Sequence, residues 1–245
     1  MEEFKEEQIT EILNRVFAPD IFEIKQQTKD FFLIETRDSK ECLQLIIQPP
    51  IIYVHQIQKC GIKGDEILQK IDELAKQMPN IKRLLLLDGS VISKCGIDLD
   101  LATIKILTKG ESWYNSKGYV SADYDEEKKQ HTEIMNSEFE AFIDKFKNPA
   151  SIKERCAQLF PYLDMKTTVK MYFNSVLDII NQEDCDESSE KIELLKKITD
   201  MLQRKEVYNR ILEKKANKTK GGKTKGKRRQ TKKHKSTMMR RTLNR

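Results

Sequence analysis

The chain has 245 residues, of which 34% are charged and only 7% aromatic, and it carries a formal net charge of +6. That length suffices for one sizeable domain with an appendage, or for two small ones. No apolar run approaches the length of a membrane-spanning helix and the acidic opening MEEFKEEQ does not read as a secretory signal, so no membrane partner is expected. The net charge conceals a split. From Lys214 onward there are 15 Lys or Arg and no acid, which leaves residues 1–213 with 30 basic residues against 39 acidic ones.

Five cysteines (Cys42, Cys60, Cys95, Cys156 and Cys185) are widely scattered, odd in number and without a CxxC pair, and there are only three histidines. This pattern predicts reduced thiols in an intracellular compartment, cytoplasm or nucleus, and argues against a structural zinc site.

In chain order, residues 1–17 predict an amphipathic helix with Phe4, Ile9, Ile12, Leu13, Val16 and Phe17 on one side, ended by Ala18-Pro19-Asp20. Three strands follow, Ile21 to Lys25, Phe31 to Thr36 and Cys42 to Ile47, separated by turn-like segments and so read as an antiparallel meander. Pro49-Pro50 leads into a strand from Ile51 to Ile57. The loop Gln58 to Gly64 then opens into a helix in which Ile67, Leu68, Ile71, Leu74, Ala75 and Met78 recur at helical spacing and Asp65 is placed to cap. Ile81 to Leu87 is short and wholly apolar toward its end, as in a strand buried on both faces. The run Asp88 to Asp98 connects it to a helix marked by Leu101, Ile104 and Leu107 and stopped by Gly110, after which comes Trp113-Tyr114-Asn115-Ser116-Lys117-Gly118-Tyr119. This order predicts an α+β domain over residues 1–123, a mixed sheet with helices packed on it.

Beyond Tyr124 the periodicity is helical. Helices are expected over residues 125–147, Ser151 to Phe160, Met165 to Asn181 and about Ser189 to Lys214, the last burying Leu195, Ile198, Leu202 and Ile211, so that residues 124–214 form an appended helical region. Residues 215–245 hold too few apolar side chains to offset the entropy of ordering and are expected to be disordered. Their Lys and Arg suit nucleic acid, an acidic partner or nuclear import; equally, they suit a solvated tail that folds back on the acidic body. No aromatic is interleaved, so base stacking is not expected.

A glycine-containing loop between a strand and a helix aims unpaired backbone N–H groups at one point, which suits a phosphate, although an ordinary turn has the same signature. Taken with the aromatic segment some fifty residues later, the arrangement resembles the GCN5-related N-acetyltransferase (GNAT) family. Gln58, Gly61 and Gly64 fall on or near that family's Q/R-x-x-G-x-G/A loop, and Trp113, Tyr114, Gly118 and Tyr119 match its aromatic-Tyr-x-x-x-Gly-aromatic motif. The resemblance implies a GNAT-like fold over roughly residues 40–122 that uses acetyl-coenzyme A. Gln58, Cys60, Gly61, Lys63 and Gly64 would hold the pyrophosphate, Tyr114 would protonate the leaving thiolate, and an amine of unknown identity would accept the acetyl group. The basic tail and the phrase SWYNSKGY also resemble stretches of uncharacterised giant-virus proteins, which would place the chain in a host cell or a virion.

No general base announces itself. His55 either faces a cleft or sits in a core, and Asp88 stands where a base could act or is plain turn chemistry. Cys60 and Cys95 have no paired histidine, which leaves a cysteine nucleophile without support. Two function classes follow: an acetyltransferase, or a non-catalytic binding or scaffold protein that works through its tail. Splayed strands, a bulge and Tyr114 at the opening would favour the first.

Overall fold

The computed structural model describes residues 6–17, 20–202 and 211–216. Phe4, Ala18-Pro19 and the tail from residue 217 onward, for which disorder is expected, lie outside the described residues.

Helix α1 (Glu6–Val16) precedes four antiparallel strands, β1 (Phe22–Gln26), β2 (Phe31–Thr36), β3 (Glu41–Gln48) and β4 (Ile51–Ile57). Helix α2 (Gly64–Gln77) crosses to β5 (Arg83–Leu87), parallel to β4, and β8 (Ile211–Lys215) closes the far side antiparallel to β5. The result is a mixed six-stranded sheet in the order β1-β2-β3-β4-β5-β8. Side chains alternate across it. Phe32, Ile34, Leu45, Ile52, Val54, Leu84 and Leu86 are buried and share one core with Leu13 of α1, Phe17 just after it, and Ile67, Ile71 and Leu74 of α2. On the opposite face Leu33, Ile46, Tyr53 and Leu85 are only half-buried. Strand β5 therefore alternates, with Leu87 37% exposed, and is not buried on both faces as its apolar run suggested.

The run Asp88 to Asp98 is not a plain connection. It holds a hairpin of β6 (Val91–Lys94) and β7 (Ile97–Asp100), turned by Cys95 and Gly96 at φ of 54° and 75°. Two consecutive positive φ values are what a two-residue hairpin turn of type I′ requires. Asp100 then caps α3 (Leu101–Lys109) by accepting the Thr103 amide, and Gly110 ends it at φ 82°.

Among the described residues five further helices follow: α4 (Tyr124–Asn136), α5 (Phe139–Ile143), α6 (Pro149–Leu159), α7 (Val169–Gln182) and α8 (Cys185–Leu202). The single helix expected over 125–147 is broken because Ser137 adopts an extended conformation and its carbonyl accepts the Val169 amide at 2.9 Å. A second core forms here around Phe139, which stacks on Tyr172 at 3.6 Å and meets Phe173 edge-on at 5.8 Å. The last helix is shorter than its pattern suggested. Ile211 to Lys214, read as its end, and Lys215, read as the first residue of the disordered tail, form strand β8; Leu212 is buried under the sheet while Ile211 is 60% exposed. Pairing along the otherwise open edge of β5 overrides the helical spacing there.

The thiol reading is also corrected. Cys42 is bonded to Cys60 and Cys95 to Cys185, across 18 and 90 residues of sequence, leaving Cys156 as a buried free thiol. Sequence spacing gave no sign of these pairs because the fold alone brings their Cα atoms to 5.1 Å and 5.3 Å.

Burial raises the hydroxyls of Tyr114, Tyr119 and Tyr172 above the ordinary value of 10, and the Cys156 thiol above 9. Groups with a raised folded pKa keep protons that the unfolded chain releases, so their contribution is complete at neutral pH and is lost as pH rises. Urea midpoints are expected to hold steady up to about pH 8 and to fall between about pH 9 and 11; a midpoint unchanged at pH 11 would contradict the burial of these groups.

Candidate functional site

Strands β4 and β5 pair from Ile51 opposite Arg83 to Val54 opposite Leu86, and there the pairing stops. Strand β4 continues to Ile57 with its other edge on β3, so the two parallel strands part like a fork. At the fork the β3–β4 register shifts, with Leu45 opposite Val54 and Gln44 opposite Gln56, which leaves His55 as the extra residue of a β-bulge. The bulge re-aims the strand. Tyr53, His55 and Gln56 all fall on the open side of the sheet, and the His55 ring lies 6.4 Å from Phe31 and 6.2 Å from Tyr53.

Between the parted strands is a cleft of about 600 Å³. One wall runs from Val54 to Lys59; the other takes in Leu86, Leu87 and the stretch Gly89 to Ser93, and Tyr114 closes the space between them. Tyr114 belongs to the core on the helix-covered side. The cleft thus runs through the sheet, with Tyr114 at one side and His55 at the other.

The loop from Gln58 to Gly64 continues the first wall. The Gln58 amide donates to the Cys42 carbonyl at 2.9 Å and its side chain donates to Glu41 at 2.7 Å, while Cys60 is buried and bridged to Cys42. Gly61 has φ 91° with open space where a side chain would stand, and Lys63 enters α2 without any side-chain cap. A Cβ on Gly64 would come within 2.8 Å of the Trp113 ring, so any larger residue here must displace that ring. Asp65 does not cap the helix; it pairs with Lys117 at 2.9 Å. The glycine loop and the aromatic segment, far apart in sequence, therefore touch at two places. Asn115 fixes the aromatic turn by donating to the Tyr119 carbonyl at 2.9 Å.

Of the residues singled out from sequence, Gln58, His55 and Tyr114 line the cleft. Cys60, Gly61, Lys63 and Gly64 form the corner next to it, and Asp88 is buried at the end of β5 without lining it. Burial first, and then the Asp88 charge, push the Tyr114 hydroxyl far above its ordinary range, so it remains a proton donor at any physiological pH. Sequence reasoning missed the wall from Gly89 to Ser93. The alternation of Val91-Ile92-Ser93-Lys94 and Ile97-Asp98-Leu99-Asp100 about Cys95-Gly96 was the available signal.

Both disulfides brace this cleft. Cys42–Cys60 ties the loop wall to β3, and Cys95–Cys185 ties the hairpin turn behind the second wall to α8, while Lys94 beside that turn donates to the Ile180 carbonyl of α7. Among the described residues no group of three His, Cys, Asp or Glu could hold a metal ion, and no helix is long and apolar enough to cross a membrane. No protein-family model, curated protein or solved structure matches the chain.

Proposed function

We propose that the chain is a GNAT-like N-acetyltransferase that uses acetyl-coenzyme A. The observation that carries this reading is the fork between β4 and β5, opened at the His55 bulge and closed by Tyr114. The residues present fit such a ligand: an open glycine at positive φ and an uncapped helix start for the pyrophosphate, and beyond them a cleft of about 600 Å³. Bound there, the thioester supplies an acetyl group activated toward amines. Tyr114 is held protonated and serves as donor to the departing sulfur. His55 is the proton acceptor: it supplies the imidazole in the cleft lining, on the side opposite the Tyr114 donor.

Calorimetric titration of acetyl-coenzyme A into the protein, in salt high enough to screen the tail, tests this. Micromolar binding is expected, weakened at least about tenfold by Gly61→Asp, which sets a carboxylate against the pyrophosphate. No heat and no thermal stabilisation at millimolar ligand would refute the reading.

One observation favours a second reading. The Gln58 amide is already engaged by Cys42, which removes one donor from the loop. A non-catalytic protein with this fold would act through its tail, and salt-sensitive nucleic-acid binding lost on neutralising that tail would support it.

A further inference from the structure

The second wall of the cleft is a strand edge. Among the described residues β6 pairs only with β7, and it is β6, not β7, that lines the cleft beside the unpaired edge of β4. Proteins usually blunt such edges with Lys, Pro or a bulge. Here Val91-Ile92-Ser93 carries none of these, Val91 and Ile92 are 59% and 48% exposed, and Lys94 is turned away onto Ile180. An edge that is both apolar and rich in free main-chain groups recognises an extended polypeptide better than a small amine.

A lysine-rich polypeptide starts close by. Ala216 donates its amide to the Lys82 carbonyl at 2.9 Å, next to the Lys215–Arg83 pair, while at the other end of the same two strands Ile211 faces Leu87 in the cleft wall. The length of β5, roughly 13 Å at strand rise, separates the last described residue from the cleft. Ten residues span up to about 33 Å, so from about Lys225 onward the chain is long enough to return. Residues 217–245 hold eight lysines, Lys218 to Lys235, and no acid, against a body with nine more acidic than basic residues.

We propose that the acceptor is this chain's own C-terminal segment, docked along β6 and acetylated on its lysines; the proposal rests on the acetyl-transfer reading above. The neutral lysine nitrogen attacks the thioester carbonyl carbon. The C–N bond forms as the C–S bond breaks, His55 takes the proton from nitrogen, Tyr114 protonates sulfur, and solvent returns the proton from His55 to Tyr114. The products are an acetyl-lysine and a free thiol. Each transfer removes one positive charge from the tail and so weakens its long-range attraction to the acidic body, which limits the reaction.

The full-length chain is incubated with acetyl-coenzyme A and followed by intact mass and peptide mapping. Acetyl increments are expected on Lys225 to Lys235, at a rate per chain unchanged over a tenfold range of protein concentration and at least tenfold slower in Tyr114→Phe. Hydrogen exchange without acetyl-coenzyme A is the second readout: amides of Val91 to Ser93 should exchange faster when the eight tail lysines are changed to Gln and stay protected when they are changed to Arg. Increments spread over body lysines, or equal in Tyr114→Phe, or exchange indifferent to the Gln variant, would overturn the proposal. Calorimetry separates the two failures: binding of acetyl-coenzyme A without tail acetylation overturns this inference alone, whereas no binding overturns the function beneath it.

Discussion

Replacing Cys95 and Cys185 with serine is expected to destabilise the fold by about 4 to 5 kcal/mol, the larger effect of the two disulfides. The bond closes a segment of 90 residues, and the entropy it removes from the unfolded chain grows with that length. Cys42–Cys60 closes only 18 residues, and its loss is expected to cost about 3 kcal/mol. Much of a domain's net stability is of that size. Denaturant midpoints with and without reductant measure the effect. Alkylation of the denatured, unreduced chain followed by mass measurement checks its premise: one modified thiol, Cys156, is expected before reduction and five after it. Five before reduction would remove both bridges. Because the bonds end in opposite walls of the cleft, reduction should also speed hydrogen exchange at Gln58 to Gly64 and Val91 to Ile97 more than in β2 and β3.

What was legible in the sequence follows from how local each signal is. Strand β4, helix α2 with its five inward residues and Met78 just past its end were readable because the period repeats within a few residues, whereas the cap expected at Asp65 was not there. The corner of Gly61 and Gly64 was readable too, although its physical meaning was not: Gly61 answers to backbone conformation and Gly64 to the Trp113 ring packed on it. Strand β8 was misread since nothing in Ile211 to Lys215 says strand; the free edge of β5, 124 to 132 positions earlier by the paired register, makes it one. The hairpin β6–β7 was passed over because Cys-Gly is a weaker turn signature than Asn-Gly or Asp-Gly. The bulge at His55 has no sequence signature, being a mismatch in count between β3 and β4. The cleft was therefore half legible: its loop and its tyrosine were visible, its second wall and both braces were not.

Tyr114→Phe is expected to slow acetyl transfer by about 10² to 10⁴ while leaving acetyl-coenzyme A affinity within about twofold. The substitution removes one oxygen and keeps the ring that packs on Trp113 at 4.8 Å and meets Tyr119 at 6.3 Å, so the core keeps its shape. Its effect should fall on the step in which sulfur leaves, since a thiolate in a buried site needs a proton and the Tyr114 hydroxyl is held protonated by burial and by Asp88. Tyr119→Phe is the matched control. That hydroxyl is also buried, has no hydrogen-bond partner among the described residues and does not line the cleft, so its removal should leave transfer unchanged and stability equal or slightly higher. The two variants differ by one oxygen at adjoining rings, and the contrast between them isolates position from chemistry. Equal rates in both variants would show that Tyr114 is packing only, and the thiolate would then have to leave without its help. A rate lost in Tyr114→Phe alone, with binding intact, would assign the proton to Tyr114 and fix the direction of the reaction through the sheet, from the tyrosine on the helix side to His55 on the open side.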